Sequence, residues 1–158
     1  MPIIDPTNTD PTIDGRQSET AMKIRSGLIR GLSETDLVFL PEFTLKTGRR
    51  CDLAAIDRKG RINIYEIKSS TEDFRIDRKW HEYSAFCDRF YFATHPDVPL
   101  EIFPENEGLV IADQYACETI REARESPLNA ATRKALLLQF ARSAAARLNR
   151  FNLHEGSL

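Results

Sequence analysis

CDLAAIDRKGRINIYEIKSS, residues 51–70, reads as two strands joined by a tight turn. Runs rich in Leu, Ile, Ala and Tyr flank Arg58, Lys59 and Gly60, as expected of a three-residue hairpin loop whose last position is left-handed. Asp52, Glu66 and Lys68 stand among these apolar neighbours. Ionised groups on a half-buried sheet are costly unless something offsets the charge.

Upstream, LVFLPEFTL (37–45) reads as a third strand, joined to the hairpin by Lys46, Thr47 and Gly48. Pro41 lacks a backbone donor, which places this strand at a sheet edge. If both loops are three-residue turns, Leu45 faces Arg49 and Asp57 faces Arg61. Counting back, Glu42 faces Asp52 and Asp52 faces Glu66. The register thus predicts one row of three carboxylates with Cβ atoms about 5 Å apart. Lys68 is expected on the same face, about 7 Å along the strand. A bulge at either glycine would slip this register by one residue.

Outward from this core, MPIIDPTNTDPTIDG (1–15) has three prolines and no periodicity, so residues 1–15 are expected as a flexible N-terminal arm. A helix is predicted from about Ser18 to Ser33, with Ala21, Ile24, Leu28 and Leu32 as its stripe. FRIDRKWHEYSAFCDRF (74–90) reads as one helix with Trp80, Tyr83 and Cys87 as its stripe, and Trp80 and Tyr83 are expected as core residues rather than stacking platforms. RFYFATH and EGLVIAD read as strands, and ACETIRE fits either a strand or a helix. A final helix is expected from Ser126 as cap and Pro127 to about Arg150, leaving 151–158 as a tail. The fold class is α/β (mixed α+β), a single domain over 16–150 with a central mixed sheet flanked by helices. The helix between the third and fourth strands favours parallel pairing there.

The 158 residues, 41% hydrophobic and 29% charged, suit one soluble domain. Cys51, Cys87 and Cys117 lie far apart with no CxxC pair, which excludes a zinc signature and favours free thiols. With no basic, apolar leader and no apolar run long enough to span a bilayer, cytoplasmic residence is expected and no membrane partner. A net charge of -2 does not advertise nucleic-acid binding, but seven basic residues against three acidic ones between 118 and 150 leave a local excess of +4.

A divalent cation resolves the charge problem of the row. Mg²⁺ takes hard oxygen ligands and keeps waters for substrate phosphates, and an ammonium beside it stabilises charge developing on phosphorus. Glu42, Asp52 and Glu66 are therefore candidate metal ligands and Lys68 a candidate catalytic group. The competing reading is a solvated face with Lys68 as an ordinary ion-pair partner. Against it, Leu40, Ala54, Ile56, Ile62 and Ile64 share that face.

Asp52 followed after thirteen residues by EIK (66–68) resembles the Asp and Glu-x-Lys core of the PD-(D/E)XK nuclease superfamily, the restriction-endonuclease-like fold. The run from EFTLKTGRRCDLAAID through KSSTEDFRIDRKWHEYSAFCDRFYFAT, with GLVIAD and ATRKALLLQFARSAAARL, is similar to the MmcB-like family of bacterial DNA-repair proteins over roughly 16–150. The resemblance implies a Mg²⁺- or Mn²⁺-dependent DNA endonuclease or structure-specific nuclease, with Asp52 and Glu66 as ligands and Lys68 as the catalytic lysine. Cys51 replaces the proline of the superfamily name. Members also place an acid on the first helix, for which Glu19 is the candidate; either Glu19 or Glu42 completes the site.

Arg49, Arg50, Ser69, Ser70, Arg75, Arg78 and Lys79 are candidate contacts to a DNA backbone. Analogy with such folds implies a homodimer, for which the Ala-rich helix 127–149 offers a two-fold contact. Two alternatives stay open: a nuclease-like module that binds DNA or recruits a partner without cutting, and a nuclease acting on RNA.

Overall fold

The structure is a computed structural model that describes the backbone of residues 15–156 and the side chains of residues 19–156. The expected arm falls on residues that, up to 14, lie outside the described ones. Six strands form one mixed sheet: β1 (Val38–Thr44), β2 (Arg50–Ile56), β3 (Ile62–Lys68), β4 (Arg89–Thr94), β5 (Gly108–Ala112) and β6 (Cys117–Arg121). Their spatial order is their chain order. β1–β2–β3 form an antiparallel meander, β3–β4 and β4–β5 are parallel, and β6 returns antiparallel to β5. Among the described residues no helix is long and apolar enough to cross a membrane.

Both hairpin loops take the expected form. Leu45 N–H donates to Arg49 O at 2.7 Å and Asp57 N–H to Arg61 O at 3.1 Å. Gly48 (φ +87°) and Gly60 (φ +80°) supply the left-handed third position. Helix α1 (Gly15–Ser33) covers one face of the sheet through Ile24, Leu28 and Leu32, against Leu53, Ala55, Tyr65, Tyr91 and Val110. A Cβ on Gly27 would lie 1.8 Å from Asp113 O, so only glycine lets α1 approach the β5–β6 turn this closely. The other face carries helices α2 (Thr71–Ile76) and α3 (Ala130–Glu155) and a 3₁₀ turn, Trp80–Phe86. There Tyr83, Leu136 and Phe140 pack on Phe43, Ile64, Phe90 and Phe92.

Three elements differ from expectation. The helix predicted over 74–90 is broken at Asp77, which is extended (φ -75°, ψ 101°). Its carboxylate accepts from Lys79 N–H at 2.9 Å and from Lys68 Nζ at 2.6 Å, holding the chain open between α2 and the 3₁₀ turn. The last helix starts later than Ser126, because Ser126 N–H donates to Asp88 O and Leu128 N–H to Asp88 Oδ1. Those bonds keep the segment extended, and Asn129 caps α3 by accepting from Thr132 N–H at 2.8 Å. α3 then continues past Arg150 to Glu155, so residues 151–155 are helical. ACETIRE is resolved as strand β6.

Face alternation slips at one place. Leu40 and Phe43 both pack on the α3-side core, as do Cys51 and Ala54 on the neighbouring strand. The residues between them include Glu42, left-handed at φ +51°, and Asp52. The β1–β2 register continues unbroken through this point, so the slip reflects not an inserted residue but the left-handed turn of the Glu42 backbone. Arg147 of α3 fixes it from outside by donating to the carbonyls of Pro41 at 2.5 Å and Glu42 at 2.7 Å.

Candidate active site

The β2–β3 ladder runs from Ile56↔Ile62 to Leu53↔Tyr65 and stops there. One step further the register sets Asp52 opposite Glu66, as the loop count predicted. Here carboxylates replace carbonyls as acceptors. Asp52 N–H donates to Glu66 Oε1 at 3.0 Å, and Ile67 N–H donates to Asp52 Oδ2 at 2.7 Å. The two acids therefore bridge the point where the strands part, each held by the opposite strand's backbone. One oxygen of each is committed in this way.

Glu66 is 6% exposed and Lys68 5%, so both sit below the surface. Burial raises the Asp52 carboxyl above its ordinary range, against the Ile67 N–H and the positive charges of Lys68 and Arg25. Burial, and next the Asp52 charge, push Glu66 up to about 8. Burial and mutual repulsion thus make the two acids resist ionising together, a cost that a bound cation would offset. Lys68, at the end of β3, is held in place twice. Its carbonyl accepts from Thr94 Oγ1 at 2.7 Å, and its ammonium pairs with Asp77 Oδ2 at 2.6 Å. That pairing, together with the Lys79 N–H, holds the Asp77 carboxyl below its usual range despite burial.

The third acid is placed differently from the expected row. Glu42 stands opposite Asp52 in register, between Pro41↔Leu53 and Phe43↔Cys51, but its backbone is left-handed and its side chain half exposed. Its Oε1 lies 3.5 Å from Arg25 Nη1 on α1. Glu19 is largely exposed and pairs with Lys23 at 3.5 Å, one turn along its own helix. Among the described residues, no three His, Cys, Asp or Glu side chains are grouped so as to hold a metal ion. The pair of carboxylates is assembled; the row of three is not.

The candidate phosphate contacts fall into two sets. Arg75, Arg78 and Lys79 are exposed on α2 and the segment after it, and Arg50 is exposed at the start of β2. Arg49 is engaged with Glu82 at 2.7 Å and lies over the Tyr83 ring, whose hydroxyl donates to Arg50 O. Ser69 and Ser70 are used internally: Ser69 N–H donates to Asp73 Oδ2, and Ser70 Oγ caps α2 by accepting from Asp73 N–H.

Three residues at the site were not singled out from sequence: Arg25, Asp73 and Asp77. DFRID, following the EIK strand and a serine pair, held a signal for the two acids, since acids just past Ser-Ser invite capping. Arg25 carried no local signal. A cavity of about 910 Å³ lies along α3 between Phe86, Leu138 and Arg142, and neither Asp52 nor Glu66 lines it.

The donor set fits a hard divalent cation: two carboxylates, each with one oxygen outside the backbone bonds, which is the number Mg²⁺ takes while retaining water. The chain matches, over residues 8–155, a family described as DNA repair protein MmcB-like. A solved structure of a protein of unknown function from Silicibacter pomeroyi, SPO1766, is similar at 37% identity and a TM-score of 0.82. The match covers 88% of this chain and 95% of that one. No curated protein matches.

Proposed function

The chain belongs to the MmcB-like family of DNA repair proteins, and from that premise we propose that it is a Mg²⁺- or Mn²⁺-dependent deoxyribonuclease of the PD-(D/E)XK type. The observation that carries the reading is the paired carboxylate bridge of Asp52 and Glu66, with the buried Lys68 on the same strand two residues beyond Glu66.

In this reading Asp52 and Glu66 hold the cation, which when bound polarises a phosphoryl oxygen and lowers the cost of generating the attacking hydroxide. The backbone N–H groups of Asp52 and Ile67 orient the two carboxylates, so little reorganisation is needed on binding. Lys68, aimed by Asp77, carries a fixed positive charge toward the phosphorus centre, where negative charge builds in the transition state. Arg75, Arg78 and Lys79 contact the backbone of the duplex and set its position without reading sequence. Three free cysteines accord with a cytoplasmic site of action. Exposed Leu138 and Leu148 on α3 suit the two-fold contact of a homodimer, which sedimentation at micromolar concentration would detect.

A second reading, a DNA-binding module without cleavage, is favoured by one observation: Glu42 is turned to Arg25, so the described residues offer two ligands rather than three. Incubation of the purified protein with duplex, branched and single-stranded DNA and Mn²⁺ separates the two. Cleavage that vanishes in Glu66→Gln supports the nuclease. DNA binding with no cleavage under any of these conditions supports the module.

A further inference from the structure

The Arg25–Glu42 pair joins helix α1 to the left-handed residue opposite Asp52. We infer that Arg25 is a phosphate-binding residue at the mouth of the site, and that until a DNA phosphate takes it, Arg25 holds Glu42 back from the cation. The inference rests on the nuclease reading above and adds an order of events to it.

Four observations carry it. Glu42 stands opposite Asp52 in the β1–β2 register, the position from which a third carboxylate would complete the site. Its backbone is fixed, because Arg147 holds the carbonyls of both Pro41 and Glu42, so the side chain is the part left to turn. The side chain's ion-pair partner is Arg25, at 3.5 Å, with the two side chains 42% and 50% exposed. An ion pair this long and this wet is weak and readily exchanged. Finally, the Arg25 guanidinium is near enough to Asp52 to favour its charged form, so it already lies within the field of the site.

A phosphodiester offers the guanidinium two oxygens in the geometry it pairs with best, and displaces a single carboxylate oxygen at 3.5 Å. Glu42 is then free to rotate toward Asp52. DNA binding and cation binding become mutually reinforcing, since whatever DNA does to the affinity for cation, the cation must do to the affinity for DNA.

The test uses the full chain, Mn²⁺ and a 20-base-pair duplex. Arg25→Gln is expected to bind Mn²⁺ in the absence of DNA about threefold more tightly or better, because Glu42 is released and a nearby positive charge is gone. The same variant should bind the duplex in EDTA about tenfold more weakly. Its log–log salt dependence should be shallower by about 0.9, the loss of one phosphate contact. In the double variant Arg25→Gln/Glu42→Gln the gain in Mn²⁺ affinity should shrink to the part due to the lost positive charge.

If Arg25→Gln alters neither affinity, or if the gain is undiminished in the double variant, the inference is overturned while the nuclease reading stands. A wild-type chain that binds neither Mn²⁺ nor DNA would overturn that reading, and the inference with it.

Discussion

Asp52 donates its backbone N–H to the Glu66 carboxylate at 3.0 Å, a side-chain acceptor standing where the antiparallel ladder would supply a carbonyl. The bond links chemistry to architecture. The strands separate at this step, and the group that bridges them is the one proposed to hold the cation. Changing Glu66 therefore tests two properties that can be separated by the choice of substitute.

Glu66→Gln keeps a carbonyl oxygen for the Asp52 N–H and removes the charge. It is expected to fold with a denaturation midpoint at or above that of wild type at neutral pH while losing Mn²⁺ affinity more than about tenfold. Glu66→Ala also leaves the N–H without its acceptor, and should lower stability by about 1–3 kcal/mol. Urea titration of both variants, with isothermal titration of Mn²⁺, checks the pair.

The raised Glu66 carboxyl gives a pH signature with a definite sign. Its folded value of about 8 lies above the ordinary 4.5, so folding favours the protonated form. Its contribution is complete below about 4.5 and is lost as pH rises through about 8. In EDTA, the melting temperature of the wild type should fall across that window relative to Glu66→Gln. Mn²⁺ should remove most of the fall, because the cation takes the place of the proton.

Asp88 shows the opposite sign. Its side chain is fully buried, bonded by Arg133 at 2.7 and 2.6 Å and by the N–H groups of Ile62 and Leu128, which hold its carboxyl below the usual range. Its contribution is present above the unfolded value and is lost as pH falls through the folded one. Asp88→Ala should cost about 3 kcal/mol in urea denaturation, because it strips Arg133 of its partner and unpins the start of α3. The fold suffers while Asp52 and Glu66 remain.

Much of this architecture was legible because turn chemistry fixes register. Gly48 and Gly60 announced the two loops, and counting from them placed Glu42, Asp52 and Glu66 opposite one another correctly. Facing in register is not convergence, however. The left-handed Glu42 and the slip in alternation around it depend on Arg147, more than a hundred residues downstream, and no local pattern reports such a contact. The break at Asp77 was hidden for a similar reason. The segment has helical periodicity, but its acid is drawn out of helical geometry by the Lys68 ammonium and the Lys79 N–H. Ser126 and Pro127 looked like a helix start, and only the tertiary bonds to Asp88 delay α3 to Ala130.

Glu42 itself supplies another prediction. A non-glycine residue at φ +51° is strained, so Glu42→Gly should stabilise the chain by about 0.5–1 kcal/mol. In the absence of DNA its Mn²⁺ affinity should match wild type, because Arg25 occupies Glu42 there. With DNA bound, the affinity should fall. Thermal melts and paired Mn²⁺ titrations with and without duplex read both effects.

The central claim is that Asp52 and Glu66 share a divalent cation, and anomalous diffraction from a crystal soaked in Mn²⁺ tests it most directly. The expected result is a peak between β2 and β3, with an oxygen of each carboxylate about 2.0–2.4 Å away. A soaked crystal with no peak there, or with Mn²⁺ only at exposed carboxylates such as Glu19, would contradict the claim.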